Sequence, residues 1–140
     1  MTAEQILTAI GLVGIGGLLK SFLDFIIESR KSKQVAQNTL KEARYKSIIL
    51  MCFAFVNYEK EKTNLIINRP DITSLDRLKN ELHAEFINMA LYGSDDVIQK
   101  FKLFISIQNE KVLNDLAIAM RKDLFGIKTK LKSETFEIDL

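Results

Sequence analysis

Five residues near the start of the chain fall on one helical stripe. Gly14, Gly17, Ser21, Asp24 and Glu28 recur at steps of three and four, with Lys20 at the border. The opposite face carries Ile15, Leu18, Leu19, Phe22, Phe25 and Ile26. Small residues allow helices to approach closely, and carboxylates within an apolar helix face a bundle interior or a water-filled lumen. Lys20 and Asp24 lie one turn apart and can pair. This is the chemistry of an oligomeric membrane bundle, up to and including a pore. Catalytic chemistry has much less to work with. The chain holds one His and one Cys, which leaves no histidine cluster, internal disulfide or cysteine-based zinc site. Gly11, Gly14, Gly16 and Gly17 lack the preceding strand and the spacing of a phosphate-binding loop. His83 reads as a surface histidine, Cys52 as a small buried hydrophobe, and Asp95 and Asp96 as first-turn helix charges. No catalytic residue, metal ligand or cofactor is expected.

The second pattern is cationic. The net charge is only +2, but it is unevenly spread. Residues 28–46 carry Arg30, Lys31, Lys33, Lys41, Arg44 and Lys46 against Glu28 and Glu42. Residues 121–132 carry Arg121, Lys122, Lys128, Lys130 and Lys132 against Asp123. Both groups offer a site for an anionic ligand or for lipid headgroups, and Arg30, Lys31 and Lys33, directly after the apolar segment, suit headgroups. If the last helix packs back along the helix that carries Lys41, Arg44 and Lys46, the two groups converge, and repetition around an oligomer axis would make a site for a nucleic-acid or nucleotide oligomer. Only Tyr45 and Phe125 are placed to stack on bases, so contacts would be mainly to phosphate.

These residues need elements to position them. A chain of 140 residues with 47% hydrophobic and 27% charged content, one Pro and six Gly is an all-α protein of about domain size. Residues 1–29 read as a transmembrane helix, opened by Thr2 as cap with Gln5 reaching back. No charge falls between Ile6 and Leu19, and the apolar pattern continues to Ile27. From Glu4 to Ile27 a helix measures roughly 36 Å, against a hydrocarbon core of about 30 Å. Basic residues flank it on one side only. That places a short N-terminus outside and the remainder in the cytoplasm, as a single-pass protein of the inner (plasma) membrane. A single Cys agrees with a reducing compartment. No cleavage pattern of a signal peptide follows.

Residues 30–127 read as a cytoplasmic bundle of about four helices. The first runs from about Lys33 to Glu61, with Leu40, Ala43, Ser47, Leu50 and Ala54 recurring at helical spacing beside Ile48, Met51 and Phe55, and with Ile48–Val56 apolar on every face, so buried centrally. Leu65–Ile67 extends it or forms a turn before Asn68-Arg69-Pro70. The next starts around Asp71–Ser74 and ends at Gly93 in the left-handed conformation. Ser94 caps the third, which runs to Ile107, and Asn109 caps the fourth, which ends at Gly126. In the tail, residues 128–140, Phe136, Ile138 and Leu140 alternate with charges, the pattern of an edge strand or a partner-binding extension.

The stretch Leu91-Tyr92-Gly93-Ser94-Asp95-Asp96-Val97-Ile98, followed by Met120-Arg121-Lys122-Asp123-Leu124, resembles a group of small bacterial membrane proteins found in antiphage-defence islands. That group has one N-terminal membrane helix and an all-helical cytoplasmic domain. The chain is similar, within it, to the channel effector of the Hailong-type systems, which pair it with a nucleotidyltransferase. The resemblance implies a homotetrameric ion channel held closed by a nucleic-acid-like product, and it carries over no catalytic residue. Phe125 stands where the group has glycine after Asp123-Leu124. Two functions follow as expectations. One is an oligomeric pore or ion-channel effector that depolarises the membrane under control of a helical sensor domain. The other is a membrane-tethered helical module that recruits a protein partner.

Overall fold

The computed structural model describes the backbone of residues 3–136 and side-chain surroundings from residue 19 to residue 136. The described residues form five α-helices and a terminal 3₁₀ turn, with no strand: α1 (Ala3–Val56), α2 (Tyr58–Asn68), α3 (Leu75–Met89), α4 (Asp95–Ile107), α5 (Glu110–Phe125) and the turn Ser133–Phe136. The described residues are all-helical apart from turns and loops, the class that the composition favours. The chain divides into two compact units, Met1–Thr39 and Leu40–Leu140.

α1 joins what the sequence pattern separates into two helices. No Gly or Pro lies between Lys20 and Val56, so nothing in that segment interrupts the backbone ladder. The break comes at Asn57. Its backbone N–H and its side-chain amide both donate to the Phe53 carbonyl, at 3.0 and 3.2 Å. Asn57 itself leaves helical geometry, at φ −108° and ψ 33°, so the helix stops short of Glu61. α2 resumes after it and contains Leu65–Ile67 as its last turn, ahead of Pro70. Among the described residues no helix is long and apolar enough to cross a membrane. Most of the expected span Ile6–Ile27 lies outside the residues whose side chains are described.

The other boundaries follow from capping. Ser74 Oγ accepts from the Arg77 N–H at 3.1 Å to open α3, and Asn109 Oδ1 accepts from the Val112 N–H at 3.0 Å to open α5. α5 closes on Gly126 at φ +63°, the left-handed position where glycine carries no penalty. Two expectations at the α3–α4 junction need correction. α3 ends at Met89 with Ala90 in right-handed geometry, and Gly93 is not in the left-handed region. Glycine is required there for space: a Cβ would meet Met89 Cγ at 2.6 Å and the Met89 carbonyl oxygen at 3.0 Å. Ser94 occupies the N-cap position of α4, but its side chain makes no capping bond.

The core of residues 40–140 is built where α1 meets α3, α4 and α5. Ile48, Cys52, Leu78, Met89, Val97, Phe101, Phe104 and Leu116 are buried. Phe101 and Phe104 are braced edge-on by Phe86 and Phe55, with ring centroids 5.8 and 6.5 Å apart. The inward face of α1 is Tyr45, Ile48, Met51, Cys52 and Ala54, so of the helical pattern Leu40, Ala43, Ser47, Leu50 and Ala54 only Ala54 is buried, together with its neighbours Ile48 and Met51. Leu40 and Leu50 are 64% and 67% exposed. A helix apolar all round gives periodicity no way to choose its face, and the polar partners of Lys41 and Tyr45 decide it. The tail also departs from expectation. Its described part forms a 3₁₀ turn, with Ser133 buried and its carbonyl accepting from Asn114 Nδ2 of α5 at 3.3 Å. Residues 137–140 lie outside the described residues.

Candidate functional site

The residues with the strongest mutual chemistry gather at one end of the bundle. Lys41, Arg44 and Tyr45 come from consecutive turns of α1, Glu85 from α3, Tyr92 from the α3–α4 junction and Asp123 from α5. Lys41 Nζ lies 2.6 Å from Asp123 Oδ2, and the Tyr45 hydroxyl donates to the same oxygen at 2.5 Å. Arg44 donates to Glu85 Oε1 at 2.9 Å, and Tyr92 donates to Glu85 Oε2 at 3.4 Å. The Tyr45 and Tyr92 rings join the two halves at 5.9 Å. Glu85 is only 8% exposed and Tyr45 only 2%. These bonds fix α1 to α5 through Asp123 and to α3 through Glu85.

Within this cluster the surroundings shift the titration of Asp123, Tyr45 and Tyr92. Burial alone would raise the Asp123 carboxyl. The hydrogen bonds from Lys41 and Tyr45, with the Lys41 charge, outweigh burial and hold it below the ordinary carboxylate value. Burial, then the hydrogen bond and negative charge of Asp123, push the Tyr45 phenol far above its usual value. Burial and the Glu85 charge push Tyr92 up to about 12. At neutral pH both phenols keep their protons as donors. The arrangement is a clamp between helices whose acceptor and donors are already matched.

The expected site residues are distributed as follows. Gly14 and Gly17 lie outside the residues whose surroundings are described. Lys20, Ser21, Asp24 and Glu28 sit exposed on α1, as do Arg30, Lys31 and Lys33. No ion pair links Lys20 to Asp24. Lys41 and Arg44 spend their charge inside the clamp, and Lys46 pairs with Glu42 one turn away at 2.6 Å. The packing of α5 along α1 brings Lys46 and Arg121 to the rim of one groove of about 380 Å³, floored by Ile49, Met120 and Leu124. Lys122 and Lys132 line a second hollow of about 420 Å³ on the other side of α5, interleaved with Asp96, Asp115 and Glu134. Lys128 and Lys130 are exposed beyond α5. The second basic cluster is thus a mixed-charge surface around Lys122 and Lys132. It is uniformly cationic only at Lys128 and Lys130.

Sequence reasoning missed Glu85 and the pairing role of Tyr45. A signal for Glu85 exists. It falls in register between Leu82 and Met89 on the apolar stripe of α3, and a charge in that position demands a partner. Both resemblance motifs end in the clamp, through Tyr92 and Asp123. Comparison with known proteins finds no family model, no curated protein and no solved structure that matches this chain.

Proposed function

We propose that this chain is an oligomeric, single-pass protein of the plasma membrane, whose N-terminal helices line a pore and whose helical domain senses the trigger, in the manner of a bacterial antiphage-defence effector. The observation that carries this reading is the stripe Gly14, Gly17, Ser21, Asp24 and Glu28 at steps of three and four within α1. Such a stripe has no use facing lipid, and a ring of copies gives it a lumen. The clamp supports the second half of the proposal. Lys41, Arg44 and Tyr45 continue the chain from the stripe, and the domain holds that part of α1 from residue 40 onward through Asp123 and Glu85. Arg30, Lys31 and Lys33 anchor at headgroups, and Arg121, Lys128 and Lys130 are the contacts left for an anionic ligand such as a nucleotide oligomer.

The test is ion flux through liposomes containing the purified full chain. Conductance that changes cation selectivity with Asp24→Asn and Glu28→Gln supports a lumen-facing stripe. Tight liposomes, or flux indifferent to both changes, would leave a membrane-tethered module that recruits a partner. That second reading is favoured by the exposed apolar Ile87 in the last turn of α3 and Leu91 just beyond it.

A further inference from the structure

α1 runs on past the clamp to a hollow that no clamp residue lines. Phe55 lies ten residues beyond Tyr45, roughly 15 Å along the helix axis. There α1, α3 and the end of α4 surround a cavity of about 230 Å³. Its apolar lining is the buried Leu82 and Phe104 with the partly buried Phe55 and Ile105. The other lining residues, Lys79, Asn80 and His83 of α3 and Gln108 after α4, are exposed and therefore stand at the mouth. A cavity that is apolar inside with a few polar groups at its opening has the make-up of a small-molecule site. An apolar cavity of about 150 Å³ accepts benzene, so this one has room for an aromatic ring and a short polar arm. Phe55 and Phe104 meet edge-on, with centroids 6.5 Å apart and planes at 76°. A ligand ring that stacks on one of them meets the edge of the other.

The mouth selects the charge of the occupant. No carboxylate lines the cavity. Lys79 and His83 stand one turn apart on α3, and Lys79 has no ion pair among the described residues. The end of α4 also borders the mouth, and bare carbonyls at a helix C-terminus would repel an anion. Two of them are already satisfied. The Gln108 N–H donates to the Phe104 carbonyl at 2.8 Å, and its Nε2 donates to the Ile105 carbonyl at 2.9 Å. Gln108 does this in the left-handed region at φ 59°, the only non-glycine residue there among the described residues. What is left for a ligand is the Lys79 ammonium, the His83 ring and the Asn80 amide, a set with more donors than acceptors. We infer that this cavity binds a small aromatic carboxylate, with its ring among Phe55, Leu82, Phe104 and Ile105 and its carboxylate on Lys79 beside His83. The site lies wholly within residues 55–108 and does not depend on the pore reading.

The experiment is an NMR titration of the full-length chain in mild detergent, methyl-labelled at Ile and Leu, with phenylacetate as the probe. The uncharged isostere phenylacetamide and the cation phenylethylamine are the comparisons. A ligand of about ten non-hydrogen atoms binds at about millimolar strength. Phenylacetate should shift the Leu82 and Ile105 methyls saturably. The amide should bind at least about fivefold more weakly, the measure of one partly exposed charge contact, and the amine more weakly still. Lys79→Gln should bring phenylacetate down to the affinity of the amide, and Lys79→Arg should keep most of the binding. Lys79 is exposed, so helicity and melting of both variants should match wild type. No saturable shift up to about 20 mM phenylacetate overturns the inference. Equal affinities for acid and amide overturn it, as does an affinity that Lys79→Gln leaves unchanged. Shifts that grow linearly at Leu82 and at the exposed Leu40 alike mark partition into detergent and overturn it too.

Discussion

Removing the Asp123 carboxylate is the sharpest test of the clamp. Lys41 and Asp123 side chains retain 18% and 13% of their exposure, and Tyr45 is almost wholly buried. Asp123→Ala leaves an ammonium and a phenol facing each other without an acceptor. Breaking a buried ion pair on one side costs about 3–5 kcal/mol. Residual water access to Lys41 favours the lower end, about 3 kcal/mol. For a unit near one hundred residues each kcal/mol moves the melting temperature by about 4–8 °C, so a fall of about 12–24 °C is expected. Tyr45→Phe removes one donor and leaves the ion pair, and should cost about 1.5–3 kcal/mol. Lys41→Met with Asp123→Leu should recover most of the loss, because no charge is left to desolvate. Thermal melts of the full chain followed by circular dichroism at neutral pH measure all three. The pH dependence has a definite sign. Asp123 titrates below its unfolded value of about 3.9, so its stabilisation is complete above that value and disappears as pH falls through the lower folded value. The gap between wild type and Asp123→Ala should therefore close below about pH 4. An Asp123→Ala protein melting within about 2 °C of wild type, or a double variant less stable than the single, would refute the clamp.

Three further outcomes separate causes that look alike in the sequence. Gly93→Asn should cost about 1–3 kcal/mol by crowding Met89, whereas Gly126→Asn should be nearly neutral, since Asn tolerates the φ of +63° and nothing lies near its Cβ; denaturant midpoints compare the two. Ser74→Ala and Asn109→Ala should each cost about 1 kcal/mol through a lost cap, while Ser94→Ala, which removes no capping bond, should change the same midpoint by only a few tenths. Cys52 is buried, and burial pushes its thiol up. It should react with a water-soluble maleimide only at the rate of unfolding, and prompt labelling of the native chain would contradict its placement.

The helical class and most helix boundaries of residues 58–126 were legible because they rest on local chemistry. Pro70 stops a helix wherever it stands. Asn109 and Gly126 act through their own side chain or φ, and the Leu78, Leu82 and Met89 stripe has the period of one helix face. Three features required the tertiary structure. Gly93 reads as a left-handed terminator by type, yet its requirement comes from Met89 lying 2.6 Å from an added Cβ, a distance that no local pattern contains. The inward face of α1 was undetermined because Leu40–Leu50 and Tyr45–Cys52 are comparably apolar. The choice lies with Asp123, 78 residues from Tyr45. Lys41 and Arg44 looked like free cations in a basic run, and became clamp residues only when α5 and α3 brought carboxylates to them. Local rules see residues within a turn or two of each other. Charge pairing and close packing join residues that are distant in the chain, so the fold alone decides which charges are satisfied and which surface is left to a partner.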